Sequence, residues 1–93
     1  MAETRITLWG IEVFLACAEE GSVSAAARRL GASVSAVSQQ LTNLEAALGA
    51  ELVDRGTRPA RLTRAGETFR RRAARIRSEA AQEIGRASCR ERV

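Results

Sequence analysis

Arginine supplies all fifteen basic residues of this chain, yet none stands between Leu30 and Arg55. That interval carries uncharged hydrogen-bonding side chains instead: Ser33, Ser35, Ser38, Gln39, Thr42 and Asn43. The Gln39 amide matches N6 and N7 of adenine, serine and threonine hydroxyls serve either role at a base edge, and Val34 suits a thymine methyl. Ser35, Ser38, Gln39 and Thr42 recur at helical steps, opposite Val37, Leu41 and Leu44, so they share the solvent face of one helix. Such a face suits the floor of a major groove. Cations bind phosphate whatever the sequence, whereas directed hydrogen bonds and methyl contacts discriminate between base pairs. The plainer reading, a solvated polar surface, also fits Ser38 and Asn43.

The arginines lie downstream. Residues 1–54 hold three arginines against seven acids, a net of −4, while residues 55–77 hold nine against Glu67 alone, a net of +8. This asymmetry points to a polyanionic partner, with nucleic acid ahead of an anionic membrane surface. Arg55, Arg58, Arg61 and Arg64 are the candidates for phosphate or a narrow minor groove, with Arg58 the best placed to insert. Ser22, Ser24 and Ser33 stand at expected helix starts, where free backbone amides bind phosphate without side-chain charge. Arg28 and Arg29 fit a solvated helix face equally well.

Other chemistries have little to work with. The chain has no histidine, no nucleophile with a neighbouring base and no phosphate-binding glycine loop. Cys17 and Cys89 form neither a disulfide framework nor a metal-ligand pair, so no cofactor or metal is expected. No apolar run approaches the roughly 20 residues needed to span a bilayer, and no signal peptide is recognisable. No membrane partner is expected, and the expected compartment is the cytoplasm.

Ninety-three residues make one small domain. With Trp9, Phe14 and Phe69 as its only aromatics, its core must come from aliphatic side chains on helices. Leu8, Ile11, Phe14, Leu15 and Ala18 form the stripe of a first helix that Gly21 stops. Ser22 and Ser24 offer caps before the run Ala25 to Leu30, which Gly31 ends. Ser33 caps a third helix carrying Val37, Leu41, Leu44 and Leu48, closed by Gly49. Leu52 with Val53, and Arg61 with Leu62, flank a Gly and Pro turn and read as a hairpin. Thr63 then caps a final helix running to at least Glu83, with an apolar seam of Ala65, Phe69, Ala73, Ile76 and Ala80. The expected fold is mainly α, a winged helix-turn-helix (three helices and a two-stranded wing) over residues 1–63, followed by a linker helix over 64–83. Periodicity and charge alone also admit a helical module that binds only proteins.

Residues 84–93 break the pattern. The codons ATC GGA AGA GCG TCG TGT AGG GAA AGA GTG would spell them, and that string looks like a common sequencing adapter, so this stretch is expected to be read-through and is set aside from fold reasoning. The remaining 83 residues carry a net +2, and the cationic segment is untouched.

From Leu8 to Glu67 the chain resembles the N-terminal DNA-binding domain of LysR-type transcriptional regulators. Phe14–Leu30 is similar to the family's first two helices, Ser33–Arg55 to its third helix and first wing strand, and Arg58–Glu67 to the wing's return into the linker helix. The joint spacing of Ala-Glu-Glu-Gly-Ser, Ala-Ala, Ser-x-x-Leu-Glu-x-x-Leu-Gly and Leu-Thr-x-Ala-Gly carries the resemblance. It implies double-stranded DNA as partner, a recognition helix near residues 34–48 in the major groove and a wing at the adjacent minor groove. It also implies a homodimer through antiparallel linker helices, with a tetramer open to the full-length protein, and a small-molecule effector bound only by a C-terminal domain absent here. Two departures matter: Val34 and Ser35 replace the family's common Gln-Pro pair, and Gln39 replaces a frequent arginine. Base preference therefore does not carry over. Another winged-helix regulator family, or a winged-helix protein-interaction module, is the alternative.

Overall fold

The computed structural model describes residues 6–54, 56–57 and 59–92, with side chains of the last helix through Gln82. Three helices, α1 (Leu8–Glu20), α2 (Val23–Leu30) and α3 (Val34–Leu48), precede two short strands, β1 (Val53–Asp54) and β2 (Arg61–Leu62), and a long helix α4 (Arg64–Arg92). The strands pair antiparallel, Val53 opposite Leu62 and Asp54 opposite Arg61, to make the wing. Helix α4 runs unbroken past residue 83.

Side-chain caps begin the helices. Oxygens of Thr7, Ser22 and Ser33 accept the amides of Gly10, Ala25 and Ala36 at 3.0, 3.0 and 3.1 Å, and Thr63 Oγ1 accepts the Gly66 amide at 3.0 Å. Ser24 is not a cap. Only Ser22 has the extended backbone a cap requires, so α2 starts at Val23 and Ser24 lies inside its first turn. Left-handed glycines at 21, 31 and 49 end the first three helices, a conformation in which any other residue would be strained.

Helix α1 sits centrally, packed by α2, α3 and α4, so its burial is wider than one stripe. Ile11, Val13, Phe14, Leu15, Ala16 and Cys17 are all buried, whereas Leu8, expected in the core, is 41% exposed. The stripe's first residue lies on the opening turn, outside the surface the other helices cover. Val37, Leu41 and Leu44 of α3 complete the core with Ala26, Ala27, Leu52, Val53 and Ala73. The methyl side chains at 26 and 27 keep α2 close to its neighbours.

The final helix departs from expectation in its use. Ala73 is fully buried, Ala65 and Phe69 pack against the core, and the Phe69 ring lies 5.5 Å from that of Phe14, tilted by 55°. Of the expected dimer seam, Ala73 is therefore covered by its own chain, and Ala65 and Phe69 in part. An apolar period shows that a face must be buried, not by which surface. Ile76, 42% exposed, and half-buried Ala80 remain outside the core.

Candidate nucleic-acid interface

Helix α3 divides as its spacing predicts. Val37, Leu41 and Leu44 are buried, while Val34, Ser35, Gln39 and Thr42 are exposed together on the other side. Ser38 is half-buried at the margin of that face. Val34 has half its surface in solvent, an unusual position for an aliphatic side chain beside polar residues. Ser33 Oγ lies 3.4 Å from Ser35 Oγ, and because the cap takes only the Ala36 amide, the amides of Val34 and Ser35 are left for an outside acceptor.

One contact ties two exposed residues together: Gln39 Nε2 donates to Asn43 Oδ1 at 2.9 Å, one turn along the helix. The sequence left Asn43 open between a solvated surface residue and a member of the polar face. The four-residue spacing from Gln39 was the available signal.

The wing is anchored at both ends. Glu45, near the C-terminus of α3, accepts the amides of Leu52 and Val53 on one carboxylate oxygen, at 2.8 and 3.3 Å. This lashes β1 to the end of α3. Farther along, the Ala60 amide donates to the Gly21 carbonyl at 3.1 Å, and Ser22, Val23 and Ser24 share an open cleft with Thr57, Pro59 and Ala60. The first turn of α2 and the wing thus form neighbouring parts of one surface. Asp54 Oδ1 accepts the Gly56 amide at 2.9 Å, which turns the chain at the wing's outer end. Arg61 and Arg64 are exposed at the base of the wing. Arg55 and Arg58 lie outside the described residues.

Not every arginine is available to a ligand. Arg29 pairs with Glu19 at 2.9 Å and Glu20 at 3.0 Å, and Arg77 pairs with Glu19 at 3.0 Å, joining α1, α2 and α4. The Arg77 hydrogen bond, aided by Arg29, holds the Glu19 carboxyl below its ordinary pKa of 4.5. A depressed folded pKa means that the pairing supports folding fully above the unfolded value and fades as pH falls through the folded one. All three side chains are more than a third exposed, so the effect is small. We expect the melting-temperature difference between the wild type and Arg77→Ala to shrink from pH 6 to pH 3. A constant difference across that range would show that Arg77 acts through packing.

Among the described residues no cluster of histidine, cysteine or carboxylate side chains could hold a metal ion, and no helix is long and apolar enough to cross a membrane.

The model of the bacterial regulatory helix-turn-helix proteins of the lysR family matches residues 8–67. The chain is 48% identical over 73 residues to an uncharacterized HTH-type transcriptional regulator of Mycobacterium tuberculosis, covering 78% of this chain and 23% of the relative. It is 45% identical over 76 residues to a probable RuBisCO transcriptional regulator of Cyanidioschyzon merolae, covering 82% and 25%. It thus spans only about a quarter of the length of these relatives. Among solved structures, the BenM DNA-binding domain in complex with catB site 1 DNA superposes with a TM-score of 0.85 at 32% identity, covering 89% of this chain and 93% of that one. The CbnR DNA-binding domain in its DNA complex gives 0.83 at 35% identity, covering 92% and 99%. With an exposed polar helix, a wing tied to its end and a family match over both, the chain belongs to the lysR family of bacterial regulatory helix-turn-helix proteins.

Proposed function

We propose that this chain is the DNA-reading end of a longer transcriptional regulator. Helix α3 enters a major groove, where Val34, Ser35, Gln39 and Thr42 meet base edges and Ser38 reaches from the margin. Arg61 and Arg64, with Arg55 and Arg58 of the wing, hold phosphate or enter the adjoining minor groove. The exposed amides beside Ser22, Ser24 and Ser33 add phosphate contacts without charge. The role is one of binding rather than catalysis, in the cytoplasm, and it needs neither metal nor cofactor. Residues 84–93 are given no part in it, since their amino-acid string matches the translation of an adapter-like sequence.

Two copies act together, because a two-fold dimer matches a two-fold operator. Since Ala73 is buried in the core and Ala65 and Phe69 pack against it, the dimer contact centres on the distal stretch around Ile76 and Ala80. A small-molecule effector, where one acts, belongs to the part of the regulator beyond this chain.

The observation that carries this reading is the exposed, uncharged face of α3 set beside a wing whose arginines supply the positive charge. The test is Gln39→Ala against duplexes selected from a random library. One base position should lose its preference, with a loss of about 1 to 3 kcal/mol on the selected duplex and little on random DNA. Equal losses on both would remove α3 from sequence reading. Binding that does not weaken as salt rises would instead favour a protein partner.

A further inference from the structure

Gln39 and Asn43 are both exposed, and among the described residues the only hydrogen bond to either side chain is the one between them, at 2.9 Å. A glutamine amide on its own turns readily about its last torsion, exchanging oxygen and nitrogen. The two orientations read different bases. With the oxygen toward the 6-position of a purine and the nitrogen toward N7, the amide complements adenine; turned over, it places a donor where guanine O6 or thymine O4 supplies an acceptor. The amide nitrogen has two hydrogens, so donating one to Asn43 leaves the other, with Oε1, for the base.

We infer that Asn43 is a positioning residue for specificity: its amide turns only together with that of Gln39, and in the arrangement found, accepting from Gln39 Nε2, it presents Oε1 and the second N–H of Gln39 to the base pair that Gln39 selects. This inference rests on α3 being the base-reading helix, as proposed above. Asn43 lies one turn further along than Gln39 and acts through it rather than on the base.

The experiment measures binding of the whole chain to the selected duplex and to duplexes with each other base pair at the Gln39-dependent position. The proteins are the wild type, Gln39→Ala, Asn43→Ala, the double variant and Asn43→Asp. Alanine is the better helix former, so Asn43→Ala remains folded, which circular dichroism verifies. Asn43→Ala should lower the preference at that one position ~5-fold, the size of one net hydrogen bond. It should have no further effect in the Gln39→Ala background. Asn43→Asp keeps an acceptor oxygen and should retain the preference while weakening binding to every duplex, because its charge opposes phosphate.

If Gln39→Ala relaxes a position and Asn43→Ala does not, the positioning role is overturned while the reading of α3 stands. A further loss in the double variant overturns it too, making Asn43 a base contact in its own right. If Gln39→Ala relaxes no position, the reading of α3 fails and the inference with it.

Discussion

Gly66→Ala should destabilise the domain by about 3 kcal/mol and loosen the wing, although it adds a single methyl group. A Cβ at this position would stand 2.0 Å from the Leu52 carbonyl oxygen and 3.0 Å from its carbon. Both atoms are backbone, so no side-chain rotation relieves the collision. The start of α4 would have to move away from the segment leading into β1, and two bonds from Thr63 bind the two together. Thr63 donates from its amide to Leu52 O at 3.0 Å and from its hydroxyl to the Glu51 carbonyl, while its Oγ1 caps Gly66. Urea denaturation gives the loss, and hydrogen exchange at Val53 and Leu62 locates it. Unchanged stability would mean that α4 can shift without disturbing the wing.

Phe14→Ala should remove about 3 to 5 kcal/mol, a large part of what a domain of this size possesses. Phe14 is fully buried at the meeting point of α1 and α4, where its ring supports Phe69. Truncation leaves a void that the central helix cannot close, being held on its other sides by α2 and α3. Chemical denaturation measures it against Leu8→Ala, which should cost no more than about 0.5 kcal/mol at its exposed site. Similar losses for the two variants would refute the burial assigned to α1.

The helix boundaries were readable because they rest on local chemistry. A left-handed residue at 21, 31 or 49 demands glycine, and a cap at Ser22 or Ser33 demands an oxygen three residues before an amide. The polar face of α3 was readable for a similar reason: helical spacing alone separates Gln39 from Val37. What could not be read depends on contacts distant in the chain. Nothing local distinguishes Glu45 from a surface carboxylate, since its partners are amides seven and eight residues away. Gly66 resembles any glycine near a helix start until Leu52 is brought against it. Ser22 and Ser24 were equally good caps by type, and backbone conformation decided between them. The seam of α4 was readable as a face and not as a contact. Its period was right, but the cover over Ala65, Phe69 and Ala73 comes from within the chain, as the Phe14 contact makes plain.

That cover has a mechanical consequence. From its Thr63 cap to the Arg77 bond with Glu19, α4 is seated on the same core that carries α3, with no joint along the way. Any turn of this stretch relative to α1 would have to break those contacts, so its orientation is fixed together with that of α3 and the wing.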